Sequence, residues 1–493
     1  MKKYDLCIIG GGPAGYAAAM RAVDLGKQVA LIEKDKVGGA GIYSGALTSK
    51  TLWEISSKMH LSKKGLLANS TVYDFIHFKD VKKLVEEAVF ERKYQLKCHI
   101  QLLENEANNR CFEYIRGKAS FVTEHQVKVK KNGKEKLVEA DHFIIATGST
   151  PRELPQFDID HQNILSSDDV MNLVEFPKSM VIVGAGVIGS EFATIFSNIG
   201  KTKVNIIDRG DRILPFEDED VSQFITNSFE KNGVRVHHSA KLCRMETVAG
   251  GVEYEIENPD GTKEVIQVEK ALLSVGRVPN IGSLKLEEIG VKISERGFIE
   301  ENDTQTSVPH IYAVGDVTNH MALVNVAELE GRRAVEKMFN EPSSRPLTYK
   351  NISTIMFLNP EVAAVGMNEQ QAQEKGLNYK CVKLDYSCIA RAIAMRQPEG
   401  FIKILVSDDE EMKVLGMRVV GEHASSSIQA VALLISMNKG IHELVDLIHP
   451  HPSIIEGIQE CLRMLLHKSI FKSEVFGDRM KFYRYKDGEI IHL

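Results

Sequence analysis

The chain has 493 residues, 43% of them hydrophobic and 26% charged, and a formal net charge of -6. This is the balance of an ordinary globular protein with apolar sequence for several cores, and the length suggests about three domains. The acidic balance argues against a broad nucleic-acid footprint, and no uninterrupted apolar run approaches the ~20 residues of a membrane span.

The first predicted element is a strand, Leu6-Cys7-Ile8-Ile9, following directly on Met-Lys-Lys-Tyr-Asp. Its apolar run is too short for a signal-peptide core, so a cytoplasmic protein is expected. The strand enters Gly10-Gly11-Gly12-Pro13-Ala14-Gly15, a small-residue helix follows, and a second strand, Val29–Ile32, ends in Glu33. Strand, G-x-G-x-x-G, helix, strand and acid together predict a dinucleotide seat. Gly10 permits the tight turn, Gly12 the approach of a pyrophosphate, and Gly15 close helix–strand packing. The helix start offers unpaired amides to the phosphates, and Glu33 accepts from ribose hydroxyls. Next comes Gly38-Gly39-Ala40-Gly41-Ile42-Tyr43-Ser44-Gly45-Ala46-Leu47-Thr48-Ser49-Lys50. Lys131-Asn132-Gly133-Lys134 predicts a hairpin turn, which makes the surrounding basic run a solvated hairpin rather than a nucleic-acid contact.

The dinucleotide pattern then recurs. Met180–Val183 leads into Gly184-Ala185-Gly186-Val187-Ile188-Gly189, a helix follows, and the strand Lys203–Ile207 ends in Asp208. Two such units predict two dinucleotides, and a hydride can pass between a nicotinamide and a flavin held in one chain. The glycines and acids alone do not say which seat holds which. Asp208 favours a ribose with its 2′-hydroxyl and repels a 2′-phosphate, while Arg209 softens that repulsion; NAD is favoured over NADP. Asn258-Pro259-Asp260-Gly261 predicts a second hairpin. The seven cysteines are scattered, with no C-x-x-C and no His cluster at zinc spacing, so reduced thiols and no metal site are expected. Cys381 and Cys388 are read as the one close pair, on an exposed segment.

Further landmarks are Ala146-Thr147-Gly148, Gly276-Arg277-Val278-Pro279-Asn280, Tyr312-Ala313-Val314-Gly315-Asp316, Asn359-Pro360-Glu361-Val362-Ala363-Ala364-Val365-Gly366 and His449-Pro450-His451-Pro452-Ser453-Ile454-Ile455-Glu456. With the two glycine motifs they resemble the class I pyridine nucleotide-disulfide oxidoreductases, dihydrolipoyl dehydrogenase-like or soluble transhydrogenase-like, from about residue 3 to about residue 470. The resemblance implies an α/β fold with two Rossmann-like dinucleotide-binding domains and a C-terminal α+β dimerisation domain. FAD would occupy the first seat and NAD(P)H the second. Residues 1–150 and 281–345 would form a split FAD domain, 151–280 the NAD(P) domain, 346–470 the dimerisation domain and 471–493 an extension, in a homodimer.

The same resemblance implies roles. Gly10, Gly12, Gly15, Glu33, Thr147, Gly148 and Asp316 would hold FAD, with Asp316 on the ribityl chain. Gly184, Gly186, Gly189, Asp208 and Gly276 would hold the nicotinamide dinucleotide. Lys50 and Glu191 would pair beside the flavin's reactive nitrogen, where a cation favours hydride acceptance. His451 and Glu456 would form a proton-shuttling dyad.

One departure decides the functional expectation. The family's stretch reads G-G-T-C-L-N-V-G-C-I-P-S-K, and here its two cysteines are Gly41 and Ala46, with Thr48 in place of proline. Neither Gly nor Ala supplies the thiolate that attacks a disulfide. The expectation is an FAD-dependent NAD(P)H oxidoreductase using a small-molecule, non-disulfide acceptor such as a quinone or a second nicotinamide. A dihydrolipoyl dehydrogenase-like or transhydrogenase-like protein is the alternative within the family. A non-catalytic flavin-binding scaffold or redox sensor is the alternative of another class. Tyr43 either stacks on a flat acceptor or plugs the vacated space.

Overall fold

The computed structural model describes residues 3–64, 70–71, 75–105, 111–342, 345–472 and 475–493. The chain divides into two compact units, one of residues 1–55, 69–176 and 272–347, the other of residues 56–68, 177–271 and 348–493. Residues 151–176 and 272–280 thus group with the first unit rather than with the expected nicotinamide segment 151–280. A physical reason is that the short strands Ser149–Pro151 and Arg277–Pro279 pair antiparallel with each other.

In the first unit, β1 (Lys3–Ile9) is flanked by two parallel neighbours, β2 (Val29–Glu33) and the strand Lys134–Ile145. Its apolar run is continuous rather than alternating because both faces are covered, as in parallel sheets generally. The strand Ile311–Ala313 lies beyond Lys134–Ile145, and β3 (Phe112–Arg116) lies beyond β2. Between β1 and β2 runs α1 (Pro13–Asp24), which buries Ala14, Ala18, Ala19 and Ala22. Those small side chains let the helix Val324–Met338 approach so closely that a Cβ on Gly331 would lie 2.2 Å from the Ala14 carbonyl oxygen. Two further helices follow β2: α2 (Ala46–Lys64), of which residues 46–55 group with this unit and 56–64 with the second, and α3 (Phe78–Asn105). The Asn132-Gly133 turn joins strands Gln126–Lys131 and Lys134–Ile145, with Lys131 opposite Lys134.

In the second unit, the parallel strands Ser179–Val183, Lys203–Ile207 and Arg235–His237 are joined by the helices Val187–Ile199 and Glu219–Lys231. The Asn258–Gly261 turn connects two strands of a three-stranded antiparallel sheet. Residues 353–492 build a seven-stranded antiparallel sheet. Its last two strands, Met480–Lys486 and Glu489–His492, form a hairpin from the extension and continue the sheet beside Tyr379–Asp385. This hairpin corrects the reading of Cys381. Its strand is covered rather than exposed, Cys381 is fully buried opposite Tyr483, and only Cys388 is partly accessible. Burial pushes the Cys381 thiol far above its ordinary pKa.

The second unit also buries a charge cluster that no sequence motif announced. Lys403 is fully buried and its Nζ lies 2.8 Å from Asp218, 2.7 Å from Asp220 and 2.8 Å from Glu369. Burial alone would lower the Lys403 pKa, but these carboxylates outweigh it and raise it. Tyr483 of the terminal hairpin donates to Glu369 at 2.5 Å, which ties the extension to the cluster.

Candidate functional site

Both glycine motifs fold into the same small machine. In the first unit, Gly10 sits at φ 109° and its N–H donates to the Ile32 carbonyl at 2.8 Å. A Cβ there would lie 2.2 Å from the Ala146 oxygen, so the turn admits no side chain. A Cβ on Gly15 would fall 1.9 Å from the Gly10 oxygen, whereas Gly12 faces open space. Gly12 caps α1 without a side-chain partner, and Pro13 occupies the first turn, where no donor is missed. The Glu33 carboxylate accepts from Gly11 N and from Asp35 N, both at 2.7 Å.

In the second unit, Gly184 sits at φ 100° and donates to the Ile207 carbonyl at 2.9 Å. Gly186 caps the helix Val187–Ile199 and also faces open space, and Gly189 is buried in the first turn. The Asp208 carboxylate accepts from Ala185 N at 2.6 Å and Gly210 N at 2.7 Å. The acid therefore does two things at each seat. It braces the glycine turn through the turn's second amide, and it stands at the strand's end where a ribose would come.

Thr147, Gly148, Gly276 and Asp316 gather within the first unit. Gly148 (φ 67°) accepts at its carbonyl from Asn280 N, and Gly276 (φ 102°) from Arg152 N, each at 2.9 Å. Gly276, expected with the nicotinamide residues, thus belongs locally to the strand pair beside Gly148. Asp316 accepts from Ser149 Oγ at 2.6 Å, and Arg277 in turn donates to Ser149 Oγ at 2.8 Å and to its carbonyl at 2.9 Å. Sequence reading named neither Ser149 nor Arg277 as a site residue. The position of Ser149 directly after Ala146-Thr147-Gly148 was the available signal.

The loop before α2 is closed on itself. Gly45 N donates to the Ala40 carbonyl at 2.8 Å. Thr48 is buried, and its hydroxyl lies 2.9 Å from the Ile42 carbonyl and 3.1 Å from that of Tyr43, a lock that proline cannot supply. A Cβ on Gly41 would lie 2.8 Å from Pro13 Cγ and 3.8 Å from Val324 Cγ2, so the vacated position is walled by apolar groups. The Tyr43 ring is taken up by Lys36, whose Nζ stands 5.0 Å from its centroid. Burial, then Asp35, raise the Tyr43 pKa.

Lys50 lies in the first turns of α2, with Nζ 3.3 Å from Ser49 Oγ. Glu191 belongs to the second unit, where it is buried and accepts from Phe357 N at 3.1 Å. His451 and Glu456 are brought together, Nδ1 to Oε1 at 2.8 Å, and Ser453 N donates to the other Glu456 oxygen at 2.8 Å. Burial pushes the Glu456 pKa up, but the His451 bond and the Ser453 amide outweigh it and leave it lowered. Next to them Ile448 is fully exposed, while His449 Nε2 and Ser453 Oγ are buried without a hydrogen-bond partner among the described residues.

Residues 4–331 match the model of the pyridine nucleotide-disulphide oxidoreductase family, and residues 352–462 match that of its dimerisation domain. The chain is 32% identical over 467 residues to a dihydrolipoyl dehydrogenase of Geobacillus stearothermophilus, covering 94% of this chain and 96% of that one. It is 33% identical to one from Bacillus subtilis over 466 residues, 93% of this chain and 97% of that one. Among solved structures, LpdA from Mycobacterium tuberculosis matches with a TM-score of 0.84 at 27% identity, over 94% of this chain and all (100%) of that one. The HOCl-induced flavoprotein disulfide reductase RclA from Escherichia coli matches with a TM-score of 0.83 at 26% identity, again over 94% and 100%. The chain belongs to the pyridine nucleotide-disulphide oxidoreductase family; FAD and NAD(P)H are its cofactors, and its dimerisation domain supports a homodimer.

The residues present fit FAD in the first unit. Gly12 leaves open space at a helix start, and Thr147 Oγ1 is buried without a hydrogen-bond partner among the described residues. A buried hydroxyl left unpaired is costly, and a bound group would satisfy it. Among the described residues, no helix is long and apolar enough to cross a membrane.

Proposed function

We propose that this family member is an FAD-dependent NAD(P)H oxidoreductase whose electrons leave for a small, flat, non-disulfide acceptor, a quinone or a second nicotinamide, and that it has no disulfide reductase activity. The observation carrying this reading is the loop Gly41–Ala46. Gly41 and Ala46 stand where the family has its sulfurs, and Gly41 packs so closely on Pro13 that a side chain there meets the pyrrolidine ring. Disulfide exchange requires a thiolate, and neither residue provides one.

Bound FAD supplies hydride acceptance from the nicotinamide and donation to the acceptor. The protein's groups do the rest. Gly12 and the first turn of α1 take the pyrophosphate, Glu33 the ribose, and Asp316, aligned by Ser149, the ribityl hydroxyls. Lys50 supplies positive charge where negative charge develops, and Glu191 is its partner in the pair the resemblance implies. Gly184, Gly186, Gly189 and Asp208 seat the nicotinamide dinucleotide. Glu456 orients His451 through Nδ1, so that protonated His451 presents an N–H at Nε2 to an acceptor oxygen. Pro13, Val324 and Gly41 give the acceptor an apolar wall, which suits the flat ring of a quinone.

The test is anaerobic stopped-flow on FAD-loaded protein. NADH should bleach the flavin, and a quinone should restore its colour while lipoamide does not. Flavin that stays oxidised with both NADH and NADPH, or one reoxidised by lipoamide, overturns the reading.

A further inference from the structure

The basic run that the sequence marks as a solvated hairpin is locally out of balance. Residues 111–140 carry seven Lys and Arg against four carboxylates, a net +3 in a chain whose whole balance is -6. Three antiparallel strands of the first unit display that excess: Lys118–Thr123, Gln126–Lys131 and Lys134–Ile145. Val127 and Val129 are buried, so the alternation of the strand turns Lys128 and Lys130 to the outer face. Leu137 stands opposite Lys128 and is 40% exposed, and Val122 is 52% exposed.

The register sets like charges side by side. Lys118 is directly opposite Lys130, and Lys131 directly opposite Lys134. Like charges so placed repel each other across the strands and weaken the pairing. The nearby acids are spent elsewhere. Glu135 lies opposite Lys130, yet its ion pair is with Lys128 at 3.5 Å. Glu113 is taken by Lys136 at 2.7 Å, Glu139 by Gln126 at 3.5 Å, and Glu124 lies 3.9 Å from His125. Lys118, Lys130, Lys131 and Lys134 are all exposed, and none has a carboxylate within ion-pair reach among the described residues.

We propose that this face docks the protein on an anionic lipid bilayer, with Lys118, Lys130, Lys131 and Lys134 among the headgroup phosphates and Val122 and Leu137 toward the acyl boundary. The cations are spread over three strands of one sheet face, which matches a planar layer of negative charge. The acidic remainder of the chain is repelled by the same layer, so the patch also fixes which side faces the lipid. The contact is peripheral, since no helix among the described residues is long and apolar enough to cross a membrane. A bilayer is also where an apolar quinone dissolves, so docking brings the protein to its oxidant. In this choice of occupant the inference rests on the quinone reading above.

The experiment sediments the FAD-loaded protein with vesicles of phosphatidylcholine alone and of phosphatidylcholine with about 30% phosphatidylglycerol. The expected result is binding to the anionic vesicles only, weakening as salt is raised. Each basic residue near such a surface strengthens binding about five-fold. The K118Q/K130Q/K131Q/K134Q protein should therefore bind about twenty-fold more weakly or worse, and should oxidise NADH with a water-soluble quinone at an unchanged rate. Replacing the same four lysines by arginine should keep the vesicle binding. Equal affinity for both vesicles, no binding to either, or a glutamine variant that binds as before overturns the proposal. So does capture by duplex DNA or an acidic peptide at a salt concentration where anionic vesicles are not bound. Vesicle binding is read without nicotinamide or acceptor, so the docking face and the oxidoreductase reading fail separately.

Discussion

The two dinucleotide seats share one hydrogen-bond plan, and where acid meets turn they differ by one methylene and one methyl. In the first, the acid is Glu33 and the turn residue it braces is Gly11; in the second they are Asp208 and Ala185. A Cβ on Gly11 would lie 3.3 Å from both Cβ and Oε2 of Glu33, a contact the longer acid cannot easily yield. In the second seat the acid is one methylene shorter and the turn residue is an alanine, with the amide-to-carboxylate bond kept at 2.6 Å. Acid length and turn residue are thus one choice made twice, and the loss of a methylene on one side is matched by the gain of a methyl on the other.

The support beneath each seat also differs. The first rests on backbone-to-backbone packing that only glycine permits, at Gly10, Gly15 and Gly331. The second unit instead anchors its helix Glu219–Lys231 with buried charge, at Lys403. The largest expected effect tests that charge. Lys403→Met removes the cation and leaves three carboxylates facing each other, which should cost about 3–5 kcal/mol in a urea titration. A midpoint unchanged by the substitution would break the contrast. Gly15→Ala tests packing in the first unit. With a 1.9 Å clash to absorb, it should cost about 3 kcal/mol, the upper end for overpacking, and abolish FAD retention. Retained flavin absorbance in the purified variant would refute this.

Acid should act on the second unit through His60. Burial, then Lys64 and Lys63, lower its pKa from 6.5 to about 4. The unfolded chain therefore takes up the proton first, so stability is complete above about pH 6.5 and declines as pH falls toward 4. The loss should be about 2–3 kcal/mol, and a His60→Gln protein should show a flatter profile in thermal melts over that range. The smallest effect sharpens the methylene–methyl exchange. Gly11→Ala should destabilise by about 1–2 kcal/mol. Adding Glu33→Asp should recover part of that loss, with a coupling of about 1 kcal/mol in a double-mutant cycle. Strict additivity would show that the two positions do not speak to each other.

Much of this was legible in the sequence because it is local. The glycine turns, the acids at the strand ends and the Asn-Gly and Pro-Asp-Gly hairpins each fit within a window of a few residues. What was not legible depends on segments far apart in the chain. Asp218, Asp220, Glu369, Lys403 and Tyr483 look like five solvated polar residues until the fold gathers them. Ser239 and Ala240 reach Gly210 and Asp208 through backbone bonds that no spacing encodes. Cys381 was misread because its short strand looks like an edge until the terminal hairpin covers it. Thr48 looked like a mere departure from proline, and its hydroxyl turned out to close the loop.

Pro13 stands beside Gly41, and its closeness bears on any attempt to put a sulfur there. A lone reversion of Gly41 to cysteine would meet the pyrrolidine ring before it met any substrate, and with alanine at 46 it would still lack a partner thiol. The return path needs at least two changes and some yielding at Pro13, with no reward for the first. A thiol pair therefore cannot be restored here one substitution at a time: both positions must change together before any disulfide exchange is chemically available.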